Sequence, residues 1–291
     1  MNKQSLSTFF KHTFIATSLL TVVACTTADA EISALSNKEK AIAVISSIET
    51  GDLEPIQYIN PEQYTQHNLA VADGLEGFGA VMKMLPEGSA KADVKRAFQD
   101  GDYVVTHTEY NFFGPKAGFD IFRFEQGKIV EHWDNLQEIA PANPSGRTQF
   151  DGVTEITDLD KTAQNKNIVT HFVQTILIDG ELSQLSDFIG PEDNDYLQHN
   201  PNVADGLSGL GHALTQLANQ GMPMVYTKNH KILGEGNFVL SVSEGEFLNK
   251  HVAFYDLFRL ENDMIVEHWD TIENISDQSD WKNANGKFAF K

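Results

Sequence analysis

The sequence predicts an α+β protein in which one domain occurs twice, each copy a curved, mostly antiparallel sheet packed on helices. Three observations lead there. At 291 residues the chain has the length of about two ordinary domains. Two blocks of sequence recur at a nearly constant offset, and a duplication outranks any local reading. Within each repeat, segments of helical period come first and segments of period two follow, the order of an α+β domain rather than of alternating β and α units.

The first block spans Tyr64 to Gly77 and returns from Tyr196 to Gly209 with ten identities in fourteen positions, among them Tyr-x-Gln-His-Asn and Val-Ala-Asp-Gly-Leu. The second spans Phe119 to Asp134 and returns from Tyr255 to Asp270 with ten identities in sixteen, ending in Ile-Val-Glu-His-Trp-Asp. A sparser third block pairs Asn143, Gly146, Arg147 and Phe150 with Asn283, Gly286, Lys287 and Phe290, and reads as closing each copy in the same way. The offset grows along the chain, which places short insertions in loops of the second copy. Units of this size fold as domains, unlike solenoid repeats. Residues 31–150 are read as the first domain and 158–291 as the second, with the polar stretch from Asp151 to Thr157 as linker.

The elements follow in the same order in both copies. Ser36-Asn-Lys-Glu39 is a capping box that opens an apolar-periodic helix ending at Gly51; its counterpart runs from about Asp160 to Gly180. A short helix follows each Asp-Gly pair, around Leu75 to Leu85 and Leu207 to Asn219. Alternating runs then mark strands at Val94 to Gln99, Tyr103 to Phe112, Phe119 to Glu125 and Lys128 to Gln137, with equivalents in the second copy. Gln126-Gly127 and Asn262-Asp263 supply the turn of a hairpin between the last two strands of each copy.

The first residues read differently. Lys3 and Lys11 precede an apolar run from Phe14 to Ala24 that is short for a membrane span, the pattern of a signal peptide. Ala28-Asp29-Ala30 fits cleavage after residue 30. Val22-Val23-Ala24-Cys25 resembles a lipobox, with cleavage after residue 24 and lipidation of Cys25. The expectation is an exported, periplasmic protein whose contact with membrane would run through a lipid on Cys25. With one cysteine the chain makes no internal disulfide and has no thiolate metal site. A formal charge of −20 repels phosphate backbones, so nucleic acid is not an expected partner, and the acidity also serves solubility.

Alternation along the strands nominates the chemistry. His132 and Asp134 share one face, as do His268 and Asp270; on the preceding strand Asp120 shares a face with Phe122, and Asp256 with Phe258. If these faces are the inner ones, each pocket holds two carboxylates and an imidazole among aromatics, a set suited to abstracting a proton beside a carbonyl. The competing reading makes His-Trp-Asp a structural strand end, with Trp buried and Asp at a turn. His67 and His199, together with Tyr64 and Tyr196, stand ahead of the Asp-Gly turn, where each His could line a pocket mouth or bond a loop carbonyl. No established metal spacing, Walker loop, dinucleotide glycine pattern or G-x-S-x-G elbow is present, so neither metal nor cofactor is expected. A small molecule is the expected partner.

The repeated Tyr-x-Gln-His-Asn…Ala-Asp-Gly and Asp-[IL]-Phe-Arg…Ile-Val-Glu-His-Trp-Asp strings resemble the SnoaL-like branch of the NTF2-like superfamily. That resemblance implies cone-shaped domains, a curved sheet wrapped over helices, and pairing of the two copies as an internal pseudo-dimer within a monomeric chain. The superfamily includes aldol-type polyketide cyclases, ketosteroid isomerase, dehydratases and plain binding proteins. For the cyclases it implies cofactor-free acid/base catalysis of an aldol closure, isomerisation or lyase step, with Asp134 and Asp270 as bases. Asp120 and Asp256 occupy a place similar to the oxyanion-side Asp of ketosteroid isomerase. His107, after Gly101-Asp102-Tyr103-Val104, matches a His common in the family, whereas the second copy has Val242 there; the second copy has the usual Pro201 and Asn202 where the first has Leu69 and Ala70. Unequal sites are therefore expected, the first copy being the better candidate catalyst. A non-catalytic binding or interaction module is the alternative.

Overall fold

Ser36 stands in extended backbone, accepts from the Glu39 amide, and has its own amide satisfied by the Glu39 carboxylate, so helix α1 (Asn37–Thr50) starts where the capping box places it. It stops at Gly51, whose φ of 69° is left-handed. These details come from a computed structural model that describes residues 35–290 except Glu87 and Asp193. The signal segment, both cleavage sites and Cys25 lie outside the described residues.

A 3₁₀ turn (Glu54–Tyr58), a two-residue strand β1 (Thr65–Gln66) and helix α2 (Gly74–Met84) follow. Four long strands complete the first copy: β2 (Lys91–Asp100), β3 (Tyr103–Asn111), β4 (Pro115–Glu125) and β5 (Lys128–Glu138). The second copy repeats the series. Helix α3 (Thr162–Phe172) runs on into a π-helical turn (Val173–Ile178); then come β6 (Leu197–Gln198), α4 (Gly206–Asn219), β7 (Val225–Glu235), β8 (Phe238–Phe247), β9 (Lys250–Glu261) and β10 (Met264–Asn274). Strand order is β1-β5-β4-β3-β2 in one sheet and β6-β10-β9-β8-β7 in the other. The fold is α+β, with two five-stranded sheets of one topology.

Both hairpin turns carry two residues of positive φ, 51° and 74° at Gln126-Gly127 and 49° and 66° at Asn262-Asp263. Such turns match the natural twist of the strands they join. Short β1 pairs parallel with β5 and sets Gln66 opposite His132; β6 sets Gln198 opposite His268. The sequence did not reveal these two strands, which are too short to show a period.

Alternation divides each sheet. One face meets its own helices and encloses a cavity. The other meets the second sheet, where Phe119, Ile121 and Trp133 pack against Leu240, Tyr255, Leu257 and Trp269 in one apolar layer. Asn135, wholly buried there, donates to the Thr271 carbonyl at 2.8 Å, so the layer has a polar pin that fixes register.

The third repeated block has a different role from the one expected. Each tail crosses to the opposite copy. Asn143 donates to the Gln198 and Val203 carbonyls, and Asn283 to those of Asn68 and Val71. Arg147 pairs with Asp205, while Asn285 bonds Asp73. Phe290 stacks on Trp133 at 4.5 Å. The reason is local: Tyr-x-Gln-His-Asn loops leave carbonyls unpaired by any strand, and the repeated Asn amides satisfy them across the pair.

Candidate functional site

The helix-facing side of each sheet collects two carboxylates and an imidazole because the antiparallel register pairs Asp120 with Asp134 and Asp256 with Asp270. In the second copy His268 Nε2 lies 3.1 Å from Asp256 Oδ1 and Nδ1 lies 2.9 Å from Gln198 Oε1. That amide oxygen already accepts from the backbone N–H groups of His199 and Asn200. It is therefore fixed as an acceptor, and His268 Nδ1 must carry a proton. The first copy repeats this: Gln66 Oε1 accepts from the Asn68 amide, His132 Nδ1 faces it at 2.9 Å, and His132 Nε2 lies 3.1 Å from Asp120 Oδ1.

The second carboxylate of each set is held at one oxygen only. Asn200 Nδ2 donates to Asp270 Oδ2 at 2.7 Å, and Asn68 Nδ2 to Asp134 Oδ2 at 2.6 Å. Asp270 Oδ1 is buried with no hydrogen-bond partner among the described residues. Burial raises the Asp270 carboxyl to about 6, with His268 opposing and Asp256 reinforcing the shift. Asp134 Oδ1 likewise accepts no hydrogen bond, but Lys287, delivered by the tail of the second copy, places its ammonium 3.6 Å away and also pairs with Glu273.

A phenol completes each set. Tyr110 donates to Asp120 Oδ2 at 2.7 Å from β3; Tyr226 donates to Asp256 Oδ1 at 3.1 Å from β7. The two come from non-equivalent strands. The second-copy position matching Tyr110 is Gly245, and the first-copy position matching Tyr226 is Ala92. Bulk is exchanged to match: Tyr110 lies over Gly118, where a Cβ would meet its ring at 2.8 Å, while Tyr226 stacks on Phe254 at 4.1 Å.

The cavities differ in size. The first encloses about 110 Å³, with Tyr64, Phe122 and Leu136 in its wall beside Asp120, His132 and Asp134. The second encloses about 250 Å³ and holds Tyr196, Asp256, His268 and Asp270 at one end. Its remaining wall is chiefly aliphatic and aromatic, and among the described residues no Lys or Arg lines it. Beside it a cleft of about 420 Å³ shares Asn200, Val203, Ala213, Leu217 and Met224 as common wall.

Donor atoms of Asp120, His132 and Asp134, and of Asp256, His268 and Asp270, lie within 4.8 Å of one another. By distance alone each set could hold a cation. Both nitrogens of each His, however, are already engaged by Gln and Asp, which makes proton sharing the arrangement these residues form.

Three sequence-nominated residues sit elsewhere. His67 and His199 face the opposite side of the sheet: His67 stacks on Trp133 at 4.4 Å and lies between Glu131 and the Gly286 carbonyl, and His199 stacks on Trp269 between Glu267 and the Thr148 carbonyl. They take the loop-bonding role, not the pocket role, because the parallel pairing of β1 and β6 turns Gln66 and Gln198 inward and their neighbours outward. His107 is also turned away. It stacks on Phe119, contacts Arg96, and is driven well below the ordinary histidine range by burial and then by Arg96. Val242, its counterpart, belongs to the same intersheet layer, so the His107 difference distinguishes the interface and not the sites. Sequence reasoning missed Gln66, Asn68, Gln198, Asn200, Tyr110, Tyr226 and Lys287. For the first four the signal was their identity in both repeats.

Comparison with known proteins finds a family match within the first copy. Residues 41–132 match the SnoaL-like domain family, and the order of the second sheet repeats that of the first strand for strand. The first copy is thus similar, over residues 41–132, to the SnoaL-like domain. Solved structures similar to it include IdmH from Streptomyces antibioticus (19% identity, 35% of this chain and 93% of that one, TM-score 0.32). TsrD from Streptomyces laurentii is another (20% identity, 34% and 86%, TM-score 0.30), as is an NTF2-like protein of unknown function from Cytophaga hutchinsonii (16% identity, 35% and 91%, TM-score 0.32). No curated protein matches the chain.

Proposed function

We propose that this is an exported SnoaL-like protein that binds a small carbonyl compound and moves protons on it without a cofactor, in an aldol, isomerase or lyase type of reaction. The observation that carries the reading is Asp270: a carboxylate with one oxygen unpartnered, buried at the end of an apolar cavity, raised to about 6, beside an imidazole. A general base works best with its pKa near the operating pH and its lone pair free of competing donors. Asp270 Oδ1 takes the proton from the carbon next to the carbonyl. His268 has both nitrogens held by Gln198 and Asp256, so the Tyr196 phenol, which accepts from Gln198 Nε2 and lines the same cavity, donates its O–H to the oxygen as enolate charge develops. Export rests on the N-terminal pattern alone, with the lipid on Cys25 as its membrane-bound variant; a monomeric chain is part of the same proposal.

Exchange of the α-protons of 1-tetralone in D₂O, followed by proton NMR, tests the chemistry. Wild-type protein should accelerate exchange, and the Asp134→Asn, Asp270→Asn double variant should lose the acceleration. Equal rates for the two proteins would sink the enzymatic reading in favour of a binding module. The first copy already supports that second reading for itself, because Lys287 stands against its carboxylate and its cavity is less than half as large.

A further inference from the structure

The two cavities are built on one plan, so the side chains that make one larger are identifiable. Phe78 and Val81 on α2 line the first cavity; Leu210 and Ala213, at the same turns of α4, line the second. Both substitutions remove volume from the wall of the second copy. Each cavity carries one phenol in its wall, Tyr110 in the first and Tyr226 in the second, so the phenols do not account for the difference in volume. The first cavity, at about 110 Å³, has room for a few waters; the second, at about 250 Å³, approaches the range of small-molecule sites, about 300 Å³ upward.

Charge narrows what enters. A carboxylate or phosphate placed beside Asp256 and Asp270 would meet no Lys or Arg in the wall. Burying an anion without a partner costs far more than the apolar contacts return. An ammonium brings three donors. The one acceptor left open is Asp270 Oδ1, since Gln198 Oε1 already takes three hydrogen bonds and Asp256 is held by Tyr226 and His268. A neutral carbonyl compound can accept from the Tyr196 phenol in the same wall and brings no charge to be buried.

We infer that the chain binds one ligand, in the second copy, that this ligand is an uncharged, mainly apolar carbonyl compound, and that Leu210 and Ala213 against Phe78 and Val81 decide which copy is open. The inference rests on the proposed function for the word carbonyl but is read by binding, not by turnover. Titration calorimetry of the full mature chain at pH 8 compares 1-tetralone with two molecules of the same ring system, 1,2,3,4-tetrahydro-1-naphthoate and 1-aminotetralin. One tetralone should bind per chain, with both charged analogues at least about tenfold weaker. Leu210→Phe with Ala213→Val should abolish binding, and Phe78→Leu with Val81→Ala should bring the stoichiometry towards two. Circular dichroism and thermal melts confirm that each variant folds; Leu214→Phe is a second way to fill the cavity should the first pair not fold. No saturable tetralone binding, two sites in the wild type, tight binding of either charged analogue, or binding that survives the filled second cavity would overturn the inference. Binding as expected with no proton exchange would instead remove the catalytic reading and leave this one standing.

Discussion

The two copies hold the same Asp-His-Asp set on the same strands, yet differ in what stands against the outer carboxylate. In the first, Lys287 from the opposite tail pairs with Asp134; in the second, Arg147, its counterpart, stops at half-buried Asp205 and leaves Asp270 Oδ1 bare. The phenol shows the reverse. It reaches the inner Asp in both copies but from different strands. A hydrogen-bonded position can thus be filled from either of two backbones, whereas a buried charge depends on which neighbour supplies its counter-ion. The copies thus differ in electrostatics as well as in cavity size.

The sharpest way to break this comparison is to remove the outer carboxylates one at a time. Asp270→Asn should lower the rate of α-proton exchange by about 10²–10⁴-fold, the usual contribution of a positioned general base. Asp134→Asn should change it less than about threefold. If the larger loss follows Asp134→Asn, the assignment of the second copy as the working site is wrong.

Next in size is the buried cation. Lys287→Met leaves Asp134 and Glu273 buried without their counter-charge, a change that costs about 3–5 kcal/mol in comparable cases. Arg147→Met breaks a pair about a third exposed on the Arg side and should cost no more than about 1 kcal/mol. Burial already pushes the Glu273 carboxyl up. In Lys287→Met the penalty should therefore be full at pH 8 and shrink as falling pH protonates the orphaned carboxyls. Urea melts at pH 8 and pH 5 measure both; equal midpoints for the two variants would show that Lys287 is not the counter-ion it resembles.

Much of this was legible in the residues. The duplication, both hairpins and the inward His-x-Asp faces came from repeat identity, turn residues and period two. His107 was misplaced because its candidacy came from a family pattern, while its face depends on the register that pairs Thr106, not His107, with Asp120. Tyr110 and Tyr226 were invisible because each repeat carries its phenol where the other has Gly or Ala. The crossed tails have no period at all. Their contacts join residues more than fifty positions apart, and only the repeated Asn, Gly and Phe marked them.

Asp270 also sets a pH dependence of stability. Its folded pKa, about 6, lies above the ordinary 3.8. A raised pKa means the folded state favours the proton, so the associated stability is full below pH 3.8 and is lost as pH rises through 6. Holding the charge above that range costs about 3 kcal/mol. Asp270→Asn should thus melt higher than wild type at pH 8 and not at pH 4, while the exchange rate of the wild type climbs through pH 6. A melting temperature unchanged or lowered at pH 8 would mean that Asp270 is not a desolvated carboxylate.

The smallest expected effect probes the part the copies share by different means. Each phenol donates one hydrogen bond to a buried carboxylate, worth about 1.5–3 kcal/mol when the acceptor is charged. Tyr226→Phe and Tyr110→Phe should destabilise the chain by similar amounts, since both leave an Asp oxygen short of a donor. Their effects on catalysis should diverge: Tyr226→Phe loosens the Asp256–His268 pair beside Asp270 and should slow exchange about tenfold, while Tyr110→Phe should leave the rate within about twofold of wild type. Stability and rate moving together in both variants would mean that the two sites act as one, and the reciprocal tails would be the connection to examine.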